Sequence, residues 1–338
     1  MEEKKTMDWR PRLRELEEIL EGFRSKDGGF DCIVAVSGGK DGSYVSFQLK
    51  HKYGVRSLTV TVRPVLALDI GNKNLYNFIS SGYDHIHVTI NPRTMNQINK
   101  IGFIEKGFPY YGWLNAIFTA PIRIAFNFGI PLIFYAEDGE IEYGGSTETK
   151  NKSLFDIEYI KRIYLESGYE KVLEKVSCSK EDLYFFQFPT DEEIRGKSLS
   201  FTHMSYFEFW DPYRNYLVAK EHCGLQEREE RNVGTFTNFA QNDQALYALH
   251  TYLMYLKFGF GRATQDAGIE IRRGAMTRDQ AKQLVAIYDN QYPEEFIPQY
   301  LEYYEMTQEE FDAVLDKFAN KDLFGKIDGR WQPTFEIE

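Results

Sequence analysis

The stretch Cys32-Ile33-Val34-Ala35-Val36-Ser37-Gly38-Gly39-Lys40-Asp41-Gly42-Ser43 decides how this chain is read. Its first five residues are apolar, largely β-branched and end at glycines, which predicts a short buried strand. Beyond it, Tyr44, Val45, Phe47 and Leu49 recur with helical spacing ahead of Lys50-His51-Lys52, predicting a helix near residues 43–53. A strand, a glycine turn and a helix N-terminus together form an anion cradle. Small residues let the backbone approach, and several N–H groups plus the positive helix end face the ligand. A phosphate chain is the ligand this suggests; the alternative is a glycine turn capped by Asp41 that binds nothing.

The loop is neither Gly-x-x-x-x-Gly-Lys followed by Ser or Thr, nor Gly-x-Gly-x-x-Gly. Ser37-Gly38-Gly39-Lys40-Asp41 resembles the pyrophosphate loop of the ATP pyrophosphatases, which cleave ATP between the α and β phosphates. The closing serine of that pattern is replaced by Gly42, with Ser43 one place later.

At 338 residues the chain is long enough for about two domains. It shows no signal peptide, bilayer-length apolar run, repeat or low-complexity tail, so a cytoplasmic protein with no membrane partner is expected. A net charge of −11 argues against a nucleic-acid partner, which would need a basic stripe. Aromatic residues make up 16% of the sequence but are dispersed, which points to core packing. Cys32, Cys178 and Cys223 are far apart and form no Cys-x-x-Cys pair, so neither a disulfide framework nor a thiolate zinc site is expected. His85 and His87 alternate on one face of an expected strand and read as structural. Magnesium is expected only as the companion of ATP.

Strand and helix patterns alternate through the first half. Strands are expected at 32–36, 57–62, 85–90 and 131–136, and helices at 9–23 (capped by Asp8), 43–53, 72–81, 94–106 and 115–128. Such alternation implies a parallel sheet covered on both faces, with ligands beyond the C-terminal strand ends. After about residue 150 the pattern turns mainly helical, clearest at 244–258, 278–288 and 308–318. We therefore expect a nucleotide-binding domain over 1–150 and a helical substrate or partner region over 151–338.

Three later segments could carry chemistry. Glu137, Asp138, Glu140 and Glu142 follow the strand ending near Ala136, where carboxylates could hold a metal or orient ammonia. A solvated acidic loop is the equal alternative for Glu137 and Glu142, and the favoured one for Asp138 and Glu140. In Phe209-Trp210-Asp211-Pro212, Asp211 precedes a proline at a helix start and reads as a cap. In Phe260-Gly261-Arg262-Ala263-Thr264-Gln265-Asp266, Arg262 and Asp266 fit an anion or sugar site, or else a buried turn with an internal ion pair.

Taken together, Ser-Gly-Gly-Lys-Asp-Gly-Ser-Tyr at 37–44, Phe-Tyr-Ala-Glu at 134–137 with Glu-Tyr-Gly at 142–144, Trp-Asp-Pro at 210–212, and Phe-Gly-Phe-Gly-Arg-Ala-Thr at 258–264 continuing to Gly274 resemble the N-acetyl sugar amidotransferase family. Its members act in bacterial surface-glycan pathways, including lipopolysaccharide O-antigen and pseudaminic or legionaminic acid biosynthesis. The resemblance covers nearly the whole chain, and the last segment is its most specific part. It implies a parallel twisted sheet of the adenine-nucleotide alpha-hydrolase (HUP, ATP pyrophosphatase) type with a mainly helical C-terminal region. It also implies an ATP-dependent conversion of an acetamido sugar, nucleotide-linked or a nonulosonic acid precursor, into an acetamidino sugar. Members commonly begin with a cysteine-rich, zinc-ribbon-like segment, and this sequence starts at about the Asp8-Trp9 that would follow it.

On that reading Ser37, Gly38, Gly39, Gly42 and Ser43 meet the pyrophosphate and Lys40 steers the phosphates. Asp41 orders magnesium or the nucleotide, and adenine lies near Thr59 and Thr61 by analogy of fold. Asp41, Glu137, Glu142, Arg262 and Asp266 are the candidates for catalysis. Glu2 stands where an N-terminal glutaminase nucleophile would need cysteine. A separate glutaminase is therefore expected, and the resemblance implies that it supplies ammonia through a conducting, cyclase-like protein. Two alternatives stay open: an RNA-modifying enzyme of the thiolation or lysidine type, and a non-catalytic nucleotide-binding module.

Overall fold

Cys32–Ala35 form the first strand, β1, and three of its four residues are buried. A computed structural model describes residues 6–136, 152–165, 168–195 and 199–337. Helix α1 (Arg10–Gly22) precedes β1, followed by α2 (Lys40–His51), β2 (Ser57–Val62), α3 (Asp69–Ser80), β3 (His85–Val88), α4 (Pro92–Lys106), α5 (Tyr111–Phe128) and β4 (Leu132–Tyr135). After several short helical turns come β5 (Ser200–Thr202) and α6 (Pro212–Cys223). The remaining longer elements are α7 (Leu246–Phe258), α8 (Arg262–Arg273), α9 (Arg278–Tyr288), α10 (Ile297–Tyr304), α11 (Gln308–Phe318) and the strands β6 (Phe324–Ile327) and β7 (Arg330–Pro333).

The sheet has five strands in the order β3-β2-β1-β4-β5. All four pairings are parallel, with Val34 opposite Thr59 on one side and Phe134 on the other. Ile33, Val34, Ile133, Phe134 and Phe201 are fully buried, as befits strands covered on both faces. The fold is thus the expected α/β parallel sheet followed by a mainly helical C-terminal region. The chain leaves β1 toward β2 and β3, then returns to β4 on β1's other flank. This reversal makes the C-terminal end of β1 a topological switch point, where such sheets bind ligands.

The chain divides into two compact units. One comprises 1–63, 69–94 and 113–226; the other comprises 64–68, 95–112 and 227–338. The expected boundary near residue 150 does not coincide with this division, because the fifth strand and the helix α6 both belong to the unit that carries the sheet. In the second unit Phe103, Tyr300, Tyr304 and Phe311 are fully buried, and Phe103 stacks on Tyr304 at 4.8 Å. Each buried tyrosine hydroxyl finds a carbonyl: Tyr300 donates to Ala245 at 2.6 Å and Tyr304 to Pro109 at 2.5 Å. Thr277 and Thr307 start α9 and α11 with reciprocal caps to Gln280 and Glu310. Asp328-Gly329 turns the closing hairpin with both residues at positive φ, the backbone that a two-residue turn needs to match strand twist.

Helix α2 begins three residues earlier than its apolar spacing indicates, so Lys40–Ser43 form its first turn. Asp8 is not itself the cap of α1, whose cap position is Trp9, but its carboxylate accepts the Arg10 N–H at 3.1 Å.

Candidate nucleotide site and a second polar pocket

The chain turns from β1 into α2 within four residues, and the turn depends on missing side chains. Gly38 has φ +81°, and a Cβ there would lie 2.5 Å from the backbone of Leu75. Gly42 packs on β1's continuation, where a Cβ would lie 3.0 Å from the Val36 side chain. That contact explains the glycine in place of the closing serine: the helix is set too close to Val36 for a side chain. Gly39 takes the cap position of α2, and no side chain among the described residues is seen capping it. The first N–H groups of a helix have no intrahelical acceptor, so this uncapped end at the switch point is suited to phosphate oxygens.

Lys40 and Asp41 are 8% and 5% exposed, so the pair is buried rather than solvent-facing. The Lys40 ammonium donates to Asp41 Oδ2, and Asn215 Nδ2 donates to Oδ1 at 2.9 Å. Asp41 is therefore part of a packed network, paired with a buried cation and held by a buried amide. Asn215 comes from α6, which the Trp-Asp-Pro segment starts. Asp211 caps that helix, accepting the N–H groups of Tyr213 and Arg214 at 3.0 and 3.3 Å, with Pro212 opening it. Trp210 meets Tyr44 of α2 edge-on at 6.0 Å, and the Tyr44 hydroxyl donates to Glu208 at 2.5 Å. Arg214 donates to Glu208 at 2.9 Å and to Asn215 Oδ1 at 3.1 Å while lying over the Tyr44 ring. A continuous chain of contacts thus runs from the Trp-Asp-Pro segment through Arg214 and Asn215 to the loop carboxylate.

Other expected loop partners are placed differently. Ser37 is half-buried at the turn. Ser43 is fully buried, with a hydroxyl that has no protein partner, so it lies behind the first turn rather than on its open side. The Thr61 hydroxyl donates to the Val36 carbonyl at 2.6 Å, bracing the loop's base. Thr59 lies two residues further down the strand, where its hydroxyl donates to Asp84 O at 2.8 Å and meets His85 Nδ1 at 2.9 Å. Both threonine hydroxyls are taken up within the protein, so any adenine near the end of β2 would meet backbone rather than these side chains. Burial, with His87 nearby, lowers the pKa of His85 to about 4, consistent with the structural reading of that pair.

Glu137, Asp138, Glu140 and Glu142 lie outside the described residues. At the edge of that segment, His203 follows β5 and is 7% exposed. Its Nδ1 meets the Tyr135 carbonyl at 3.0 Å, its Nε2 meets the Tyr164 hydroxyl at 3.1 Å, and its ring stacks on Phe155. The imidazole ties the ends of β4 and β5 together. Among the described residues no cluster of three or more histidine, cysteine or acidic side chains could hold a metal. Nor is any helix among them long and apolar enough to cross a membrane.

Arg262 and Asp266 belong to the second unit. Arg262 Nε donates to both Asp266 oxygens at 3.0 and 3.1 Å, and the Thr235 and Thr237 hydroxyls donate to Asp266 at 2.5 and 3.0 Å. The internal ion pair is the arrangement found, with Asp266 accepting from one arginine and two threonines. Helix α8 also receives a carboxylate from outside. Asp289 accepts from Gly261 N at 2.9 Å, Thr264 N at 3.1 Å and the Thr264 hydroxyl at 2.5 Å. Arg262 lines a small cavity of about 30 Å³ together with Arg228, Asn232, Gln244, Tyr247 and Phe296.

Asn215, His203 and Gln244 are the side chains that sequence reasoning missed. Asn215 is 174 residues from Asp41, and no local pattern joins them.

No curated protein matches the sequence. Among solved structures, the chain is similar to the U34-tRNA thiolase NcsA from Methanococcus maripaludis with its [4Fe-4S] cluster, at 10% identity and a TM-score of 0.34, covering 97% of this chain and 86% of that one. It is also similar to the NMN synthetase from Francisella tularensis, at 12% identity and a TM-score of 0.26, covering 66% of this chain and 89% of that one. Residues 233–336 match the family model of the LPS biosynthesis protein WbpG-like, C-terminal domain.

Proposed function

We propose that the chain is an ATP-dependent amidotransferase that turns the acetamido group of a sugar into an acetamidino group, releasing AMP and pyrophosphate. The observation that carries the nucleotide half of this reading is the uncapped start of α2, set by Gly38 and Gly42 at the sheet's switch point. The WbpG-like match over 233–336 supports the surface-glycan half.

An amide carbon is a poor electrophile, because nitrogen donates into the carbonyl and oxygen leaves badly. Attack of the acetamido oxygen on the α-phosphate breaks the α–β bond and expels pyrophosphate. The oxygen then belongs to a good leaving group, AMP. Ammonia adds to the imidate-like carbon, AMP departs, and the loss of a proton leaves the amidine. The chain's part is positioning and charge stabilisation. The first-turn N–H groups and Lys40 hold the phosphates, and Asp41, fixed by Asn215, sets Lys40. Magnesium enters as the MgATP substrate, held largely by phosphate oxygens and water. Glu137 and Glu142 stay candidates for orienting ammonia.

Nitrogen would come from a separate glutaminase through a cyclase-like conduit. Cys32 and Cys223 are buried and their thiols are pushed up in pKa by burial, so neither is poised as a thiolate nucleophile. The same burial disfavours Cys32 and Cys223 as sulfur carriers in RNA modification.

The test is a balance of products. With MgATP, an acetamido sugar and ammonium, AMP and pyrophosphate should form in step with amidine. ADP and phosphate as main products would overturn α,β cleavage. Ammonium has a pKa of roughly 9, so ammonium-dependent rates should climb with pH until another step limits. Glutamine should not replace ammonium unless the glutaminase is added. Glutamine use by the isolated chain would remove the two-protein supply.

A further inference from the structure

The second unit contains a small cavity of mixed lining whose most buried amide has nothing to bind. Gln244 is 1% exposed, and neither its Nε2 nor its Oε1 has a hydrogen-bond partner. Leaving both ends of a buried amide unpaired is costly, and a bound group that pairs them removes the cost. Gln244 lines the cavity of about 30 Å³ just before α7, beside Arg228 and the ring of Phe296. Arg228 is half-buried, and its guanidinium makes a single 3.3 Å bond to Asn232 Oδ1, with no carboxylate partner among the described residues. Gln241, on the same wall, holds φ +54°, a backbone state uncommon for a residue with a side chain.

The donor and acceptor inventory selects the ligand. An anion only accepts, so it would leave Oε1 unpaired; a cation only donates and would leave Nε2 unpaired. A hydroxyl does both, and two adjacent hydroxyls on a ring present one acceptor and one donor at the spacing of a planar amide. Arg228 adds further N–H donors for hydroxyl oxygens, and Phe296 offers an apolar face for ring C–H groups. The volume exceeds what one water needs, so it suits the edge of a ring rather than a whole sugar. We infer that this cavity is a carbohydrate-recognition pocket in which Gln244 and Arg228 bind a pair of neighbouring sugar hydroxyls. The inference rests on the proposed reaction only in expecting that sugar to be an acetamido sugar.

The experiment follows the side-chain amide signals of Gln244 by NMR in the full chain, assigned by their loss in Gln244→Met. Glucose, galactose and mannose, each with its N-acetylated counterpart, are titrated separately, and inorganic phosphate is the comparator. At least one of the sugars should shift the Gln244 signals, and phosphate should not. Gln244→Met and Arg228→Met should each weaken that sugar by roughly tenfold or more. Gln244→Met keeps the side chain's length and removes two unpaired polar atoms, so its Tm should rise while sugar affinity falls. Signals moved by phosphate alone would make this an anion pocket and overturn the inference. Signals moved by nothing, or a lowered Tm in Gln244→Met, would mark a water-filled structural cavity and overturn it equally. No ATP is needed, so the two readings fail separately. Sugar-dependent shifts without AMP formation would sink the reaction and leave the pocket; AMP formation on a sugar that leaves Gln244 unmoved would sink the pocket alone.

Discussion

Helices α2 and α8 begin in the same way, with a glycine cap followed by a basic residue: Gly39-Lys40 in the first unit and Gly261-Arg262 in the second. A cation at the positive end of a helix opposes the helix dipole. Each is neutralised by a buried aspartate, Asp41 one residue on and Asp266 one turn on. The difference lies in what meets the helix end. In α8 the Asp289 carboxylate takes the Gly261 and Thr264 N–H groups, so the chain supplies its own anion. In α2 the cap position is a glycine, and no side chain among the described residues is seen in the place that Asp289 takes at α8. The same local pattern is therefore a closed structural joint in one unit and, on the proposed reading, an open anion seat in the other. The distinguishing residue, Asp289, lies 25 positions beyond Thr264 in sequence.

The largest effects should come from the two aspartates. Asp41→Ala and Asp266→Ala each remove a carboxylate that pairs with a buried cation, and breaking comparable pairs costs about 3–5 kcal/mol. Denaturant unfolding should show losses of that size for both. Their activities should part: at equal folded fraction, Asp41→Ala loses AMP formation while Asp266→Ala keeps it. If Asp266→Ala loses turnover while folded, and Asp41→Ala does not, the open and closed assignments are reversed.

A middle-sized effect separates the two helix ends directly. Asp289→Ala removes three hydrogen bonds at α8 and should cost about 2 kcal/mol, as a strong cap does. No phosphate ligand should restore it. At α2 the missing anion is the ligand's, so magnesium pyrophosphate should raise the Tm of the wild-type chain by linkage, and Lys40→Met should remove that rise. An equal rise in Lys40→Met would mean that pyrophosphate binds elsewhere.

The contrast also shows what the sequence could disclose. The loop was legible because Ser37–Ser43 joins a β-branched run to a helical one, and chemistry, turn and period change within a dozen residues. The helical stretches at 278–288 and 308–318 were equally plain, since capping threonines and apolar spacing coincide. The fifth strand was not, because Ser200-Phe201-Thr202 is too short to show alternation. Without it the first unit looked complete near residue 150. Asn215 and Gln244 were hidden for a different reason. An amide becomes informative through what it does or does not pair with, and that is settled by packing between distant segments. Thr59 and Thr61 show another limit: analogy of fold placed adenine near them, but only packing shows that their hydroxyls are held by protein carbonyls.

The smallest effect concerns pH, and it has opposite signs for a buried carboxyl in the second unit and a buried imidazole in the first. Burial raises the Asp243 carboxyl to about 7, while the largest cause at His85 in the first unit, burial again, lowers it to about 4. For Asp243 the folded chain holds its proton more tightly than the unfolded chain does. Its contribution is therefore full below the unfolded pKa of about 4 and is lost as pH rises through about 7. For His85 the unfolded chain binds the proton first, so stability falls as pH drops from about 6.5 toward 4. His250 in the second unit is lowered to about 4 by burial and acts like His85, partly masking Asp243 below neutrality. The difference between wild type and Asp243→Asn isolates the carboxyl, since the amide cannot titrate. Between pH 6 and 7 the wild type should lose about 1 kcal/mol relative to the variant, with the gap closing to a constant above the folded pKa. Parallel unfolding curves for the two proteins across that window would show that Asp243 titrates at an ordinary carboxylate pKa, and that its buried oxygen is paired in solution.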